Sequence, residues 1–248
     1  MTLSYGQDQV DAVLFDLDDV LVPFQTPAAW QWAWRPQGPV LGDRRVKAAV
    51  RRALKAWDRR RWMGLTGKAP PADLTALRTH LAETLATVAG HTLPPTETEA
   101  VVRRFLRPAG EVERYPDAST TLDRLRAAGV KLGIVTPLPA ESARWLLHRC
   151  GIPEALVLGS GDGPGPCVPD RAAFRAAAEA LGAPAERVAY VGDLFWSDVR
   201  AAARAGLRSV LLDRRDAWPK VLTGRLTTLD QLESTLAAGG SPPETERE

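Results

Sequence analysis

Five short apolar runs punctuate the chain, at Ala12 to Phe15, Lys131 to Val135, Ala155 to Leu158, Val188 to Val191 and Ser209 to Leu212. Each has the length of a strand and ends in polar residues, with little alternation, which is the pattern of parallel strands buried on both faces. After the first run and a long insertion, amphipathic segments separate them: Ala118 to Ala128, Ala140 to Cys150, Asp170 to Leu181 and Ser197 to Ala205. Each is followed by a glycine (Gly129, Gly151, Gly182, Gly206), the residue that most readily closes a helix. Strand and helix alternating at this spacing predict a doubly wound, Rossmann-like parallel α/β sheet, whose ligands bind beyond the carboxyl ends of the strands.

The insertion covers residues 26–113 and predicts a separate helical domain, with residues 1–25 and 114–240 forming the α/β core and 241–248 a polar, disordered tail. Three helical patterns fill it. In the first, Val46, Val50, Leu54 and Trp57 form an apolar stripe, and Arg44, Arg45, Lys47, Arg51, Arg52, Lys55, Arg59, Arg60 and Arg61 are expected on the remaining surface. The second uses Leu74, Leu77, Leu81, Leu85 and Val88; the third is expected to open with a capping box of Thr96 and Glu99 and to bury Val102, Phe105 and Leu106.

Composition narrows the function classes only slightly. A chain of 248 residues, 45% hydrophobic, is long enough for a full core. A net charge of +2 lies too close to zero to imply a nucleic-acid or membrane-surface partner, and neither is expected; no apolar segment has membrane-spanning length. The two cysteines, Cys150 and Cys167, fit no metal-ligand or disulfide framework and read as reduced thiols, so the expected compartment is the cytoplasm. Oligomeric state leaves no mark. His80, His91 and His148 form no ligand spacing and read as ordinary surface or partly buried histidines. Glycines at 159–165 and 64–67 lack the spacing of a phosphate loop.

Acidic residues at strand ends change the picture. Asp16-Leu17-Asp18-Asp19-Val20 follows the first strand, where clustered carboxylates repel one another and resist desolvation unless a cation or a shared proton accompanies them; the alternative is a solvated acidic turn. Gly192-Asp193 follows the fourth strand and Asp198 stands five residues on, so both carboxylates can aim at one hard cation; alternatively Ser197 and Asp198 only cap a helix. Thr136 is expected to end the second strand, with its hydroxyl at the same sheet edge.

In this order, Asp16-Leu17-Asp18-Asp19-Val20, Thr136, and Gly192-Asp193 with Asp198 resemble the first, second and fourth motifs of the haloacid dehalogenase (HAD) superfamily, and Tyr115-Pro116-Asp117 resembles the return from a helical cap into its core. The resemblance implies a phosphatase acting on a small phosphate ester. Asp16 is then the nucleophile and forms an aspartyl-phosphate, while Asp18 serves as general acid and base. Mg²⁺ is held by Asp16, the Asp18 backbone carbonyl and Asp193 with help from Asp198, and Thr136 holds the phosphoryl group. A haloacid dehalogenase of this fold usually lacks the second aspartate and needs no magnesium, so Asp18 and Asp193 favour phosphoryl chemistry; no residue separates a phosphatase from a phosphosugar mutase.

One motif departs. Where such enzymes carry a lysine that offsets the charge of nucleophile and phosphate, this chain has Val168, in Val168-Pro169-Asp170-Arg171. Either Arg171, Lys68 or another residue of the insertion supplies the charge in space, or the protein binds without turnover. Trp57 belongs to the apolar stripe, whereas Trp30, Trp32 and Trp34, beside the first motif, are candidates for lining a cleft.

Overall fold

The computed structural model describes residues 10–23, 43–69, 74–90, 92–106, 113–152, 156–160, 170–221 and 224–237. Its strands are β1 (Ala12–Phe15), β2 (Lys131–Pro139), β3 (Leu156–Ser160), β4 (Val188–Gly192), β5 (Arg208–Leu212) and β6 (Arg225–Leu226). They form one parallel sheet in the order β3-β2-β1-β4-β5-β6, which puts the switch in winding direction between β1 and β4. The expected doubly wound α/β core is therefore present. The two-residue β6 carries too little sequence for any periodicity to reveal. It is held by Arg225, whose guanidinium lies 2.9 Å from Asp213 and 2.5 Å from Asp216.

Alternation along the strands feeds two apolar layers. Val13, Phe15, Ala189 and Val191 face one layer with Leu122, Leu125 and Leu146, whereas Ala12, Leu14, Val188 and Tyr190 face the other with Phe174, Ala177 and Ala202. The first layer is covered by α4 (Pro116–Ala127), α5 (Ala140–Arg149) and α8 (Leu232–Ala237), the second by α6 (Arg171–Ala180) and α7 (Arg200–Ala205). Burial on both faces explains why these strands read as continuous apolar runs. Gly129, Gly151, Gly182 and Gly206 all have positive φ, as expected for helix-closing residues. Cys150 is a buried member of the first layer, where burial pushes its thiol up to about 11; Cys167 lies outside the described residues.

Between β1 and β2 the described residues form α1 (Asp43–Leu65), α2 (Leu74–Ala89) and α3 (Pro95–Leu106). Two expectations need correction. Thr96 lies inside α3 and makes no capping box, because Pro95, with its fixed φ and missing N–H, takes the first helical position and Thr98 N donates to the Pro94 carbonyl. Thr136 is not the last residue of β2, which runs to Pro139 through an irregular register after Val135. On α1, Leu54 and Trp57 are buried and Arg51, Arg52, Lys55, Arg59 and Arg60 exposed as the stripe predicts. Leu81, Val101 and Val102 are also buried. The side chains of Val46, Val50, Leu77, Leu85, Val88, Phe105 and Leu106 lie outside the described set, as do His91 and the tail 241–248.

His148 is exposed, whereas His80 goes beyond the partial burial expected: it is buried on α2 and stacked on Trp57 of α1, with ring centroids 4.9 Å apart. Burial, followed by the nearby Arg60 charge, lowers its pKa from 6.5 to about 4. A base depressed in the fold contributes stability that is complete above 6.5 and is lost as pH falls toward 4. Relative to a His80→Phe variant, the native chain should lose on the order of 2–3 kcal/mol more unfolding free energy between pH 7 and pH 4. Urea unfolding curves at both pH values measure this difference.

Candidate active site

Pairing at the sheet edge assembles the acidic residues. Phe15 is in register with Val191 of β4 and Ile134 of β2, so the chain beyond β1 emerges beside Gly192 on one flank and Thr136 on the other. Asp16 N donates to the Val191 carbonyl at 2.8 Å, extending the ladder by one bond. Asp16, Asp193 and Asp198 bring one carboxylate oxygen each within 4.8 Å of one another. Gly192 permits this approach: a Cβ there would lie 2.9 Å from the Asp198 Cβ and 2.8 Å from the Tyr190 ring.

Both bland expectations for these acids are overturned. Asp16, Asp18 and Asp19 are buried, not a solvated turn. Asp198 caps no helix; it sits within a single π-helical turn, Phe195–Val199, whose N-cap is Leu194 and which has no side-chain cap. Burial first, then Asp198, raises the Asp16 carboxyl well above its usual range, and the Arg61 charge opposes the rise. Asp193 is raised by burial and by Asp19, Asp16, Asp198 and Asp18; Asp198 is raised by burial, which outweighs the Arg61 charge. Such a set resists ionisation unless a cation joins it. Asp16 Oδ1 and Asp198 Oδ2 are buried without a hydrogen-bond partner among the described residues, so the donor set fits a divalent metal ion.

The largest departure from expectation is Arg61. Expected on the solvated face of α1, it is 1% exposed, and its Nη2 lies 2.8 Å from Asp198 Oδ1. Burial disfavours its charge, but Asp198, Asp16, Tyr190 and Asp58 more than offset that and hold it protonated. Its helix neighbour Asp58 is fully buried and accepts hydrogen bonds from Trp196 N at 3.0 Å and Ser197 N at 2.6 Å. Asp58 thus satisfies two N–H groups at the start of the π-helical turn, where the turn itself offers no acceptor. Burial raises its pKa to about 6, against the pull of the Trp196 N–H.

Arg171 opens α6 with an exposed side chain, and Lys68 is exposed in the turn after α1, so neither expected substitute is buried among the carboxylates. Asp170 caps α6 by accepting from Ala173 N. Thr136 is buried, and its Oγ1 accepts from Leu138 N at 3.3 Å. Val168, Trp30, Trp32 and Trp34 lie outside the described residues.

The loop after β5 closes the other side. Arg214 holds Asp117 through two bonds of 2.7 and 2.9 Å, donates to the carbonyls of Asp19 and Val20, and lies over the Tyr115 ring. Tyr115 donates to Asp19 Oδ1 at 2.5 Å, and Arg215 lies 2.6 Å from the same oxygen. Asp19, at φ 57°, is thereby bound on one carboxylate oxygen by both of these groups. A small cleft beside it is lined by Asp19, Lys55, Asp193, Arg215 and Trp218.

Comparison with known proteins fits this geometry: residues 10–206 match the haloacid dehalogenase-like hydrolase family. The chain belongs to that family. It is 31% identical over 236 residues to a phosphoglycolate phosphatase of Rhodospirillum rubrum, covering 90% of this chain and 88% of that one. It is 29% identical to a phosphatase of Mycobacterium tuberculosis, over 83% and 88% of the two chains. Among solved structures, the magnesium-bound HAD hydrolase YfnB of Bacillus subtilis superposes with a TM-score of 0.70 at 21% identity, covering 92% of this chain and 99% of the other. The L-2-haloacid dehalogenase of Xanthobacter autotrophicus does so with 0.66 at 18% identity, covering 92% and 98%. At such identities the two structures show the shared fold alone. No helix among the described residues of this HAD hydrolase is long and apolar enough to cross a membrane.

Asp58→Ala leaves the buried Ser197 N–H and the partly buried Trp196 N–H without their acceptor and should cost about 1–3 kcal/mol of stability. Asp58→Asn keeps one acceptor oxygen and should cost less. Thermal or urea unfolding of the two variants beside the native chain gives the comparison.

Proposed function

We propose that this hydrolase cleaves a small organic phosphomonoester with magnesium, through an aspartyl-phosphate on Asp16. The observation that carries the reading is the buried Asp16 Oδ1, unpartnered among the described residues, at the switch point of the sheet beside Asp193 and Asp198. Asp16, the Asp18 backbone carbonyl and Asp193, supported by Asp198, would hold the magnesium ion. When bound, it offsets the carboxylate charge and orients the phosphate.

The Asp16 carboxylate attacks phosphorus while the bond to the leaving oxygen breaks, and Asp18 passes its proton to that oxygen. Asp18, now ionised, takes a proton from water. The resulting hydroxide attacks the same phosphorus, the bond to Asp16 breaks, and phosphate leaves. The Asp18 turn is held in place by the bonds of Arg214 to the carbonyls of Asp19 and Val20. Thr136, at the adjacent strand, is assigned to the phosphoryl oxygens. Helices α1 to α3 act as a cap that keeps bulk water from the intermediate, with the domain limits read from the sequence.

Support for a small substrate comes from the R. rubrum relative, a phosphoglycolate phosphatase, and Lys55 and Arg215 provide positive charge beside Asp193. Among this fold's chemistries, Asp18 and Asp193 favour phosphoryl transfer over dehalogenation.

Phosphate release from a panel of phosphomonoesters including 2-phosphoglycolate should require magnesium and stop with chelator. Asp16→Asn should reduce release to background, and Asp18→Asn should lower it by about a hundredfold or more. Release by Asp16→Asn at the native rate would remove the nucleophile assignment.

A further inference from the structure

The four carboxylates of the site, Asp16, Asp18, Asp193 and Asp198, carry more negative charge than one divalent ion neutralises, and a dianionic phosphoryl group adds to it. The sequence position where resembling enzymes place a lysine is Val168. The structure nevertheless contains a buried cation beside the nucleophile, and it comes from the insertion.

Arg61 is 1% exposed, as is its partner Asp198. Its Nη2 is close enough to Asp198 Oδ1 to neutralise it, while Nε is buried without a hydrogen-bond acceptor among the described residues. Buried guanidinium N–H groups without acceptors are costly and rare, and their natural complement is an oxyanion that arrives with the substrate. The second oxygen of Asp198, Oδ2, is likewise unpartnered, so the carboxylate can face Arg61 with one oxygen and a metal ion or its water with the other.

The arginine is held by more than this one pair. Asp58, one helical turn earlier, binds Trp196 N and Ser197 N, so α1 grips the π-helical turn that carries Asp198 at two points. Trp62 packs against Trp196, ring centroids 5.8 Å apart, and Arg204 lies over the Trp62 ring. The placement of Arg61 is thus built into the contact between the insertion and the core.

We infer that Arg61 replaces the absent motif lysine: from helix α1 it balances Asp16 and Asp198, and its unpartnered Nε–H receives an oxygen of the transferring phosphoryl group. The inference rests on the phosphatase reading proposed for the site. Arg61 is a positioning residue with respect to Asp198 and contributes charge directly at the phosphoryl position.

The test compares the native chain with Arg61→Met and Arg61→Lys. Inorganic phosphate binding in the presence of Mg²⁺ is followed by calorimetry, phosphate release from the best substrate is measured alongside, and thermal unfolding checks the fold. Arg61→Met should weaken phosphate binding and slow release, each by about a hundredfold, the scale of losing one preorganised charge. Arg61→Lys, which keeps the charge, should stay within about tenfold of native in both.

A folded Arg61→Met protein that binds and releases phosphate like the native chain overturns the inference. So does a folded Arg61→Lys protein impaired by about a hundredfold in both measurements, which would assign the residue to packing geometry, and this arm stands even where Arg61→Met does not fold. A native chain without magnesium-dependent release or phosphate binding overturns the phosphatase reading itself, and the inference with it. That failure is distinguished by falling on the native protein and not on the variants.

Discussion

Crowding of carboxylates at the carboxyl edge of the sheet is the constraint around which the rest of the structure is arranged. Asp16, Asp18, Asp193 and Asp198 lie where β1 and β4 end, and neighbouring carboxylates together with burial raise the affinity of Asp16 and Asp193 for protons. For Asp16 to act as the proposed nucleophile its carboxylate must be ionised, which calls for positive charge at this edge. It does so from two directions, by Arg61 from α1 and by Arg215 from the loop after β5. What the protein cations leave unbalanced is the work assigned to the metal. Removing water without supplying these charges would leave a set of protonated acids and no nucleophile.

The same constraint accounts for the hydrogen bonding around the site. A turn that presents Asp198 to the triad cannot also have that side chain cap its own N–H groups, and Asp58 accepts from them across the interface. The turn after β1 is likewise not self-sufficient. Arg214 takes the carbonyls of Asp19 and Val20, while Tyr115 and Arg215 bind the Asp19 carboxylate, so the third acid of the first motif is structural. Asp117, which follows the return from the insertion, anchors Arg214 and accepts from Leu229 N. Residues distant in sequence therefore share one scaffold at the mouth of the site.

Much of this arrangement is legible in the amino-acid sequence. The sheet core is readable because its strands are buried on both faces and its helices end in glycines, and the acids at strand ends declare the edge where chemistry gathers. β6 is not, since two residues carry no period, and the capping box at Thr96 fails because Pro95 takes the first helical position instead. Arg61 is the instructive miss. Leu54, Trp57 and Arg61 are spaced by three and four residues, so the apolar stripe of α1 continues directly into Arg61, and its burial follows from the period. Its charge argues for solvent and its position for the interior, and position decides. Asp58 carries a signal too, as the single acid in the otherwise basic stretch from Arg44 to Leu65.

Placing the compensating cation on an inserted helix has a physical consequence that a lysine on the core sheet would not have. A core lysine is present at the nucleophile whatever the insertion does. Arg61 is there only while α1 is seated on the π-helical turn, so the electrostatics of the site and the docking of the helix become one event. The contact is held by groups that each need the other side: Asp58 requires the N–H groups of Trp196 and Ser197, and Asp198 requires the guanidinium. Displacing the helix would leave buried charges on both surfaces without partners, which makes partial separation costly. A bound phosphate, by accepting from the buried Arg61 Nε–H, would draw the two surfaces together, and its departure would release that attraction. On the proposed reading, Arg61 moves the compensating charge from the core sheet to a helix of the insertion, so occupancy of the site and docking of that helix would favour one another.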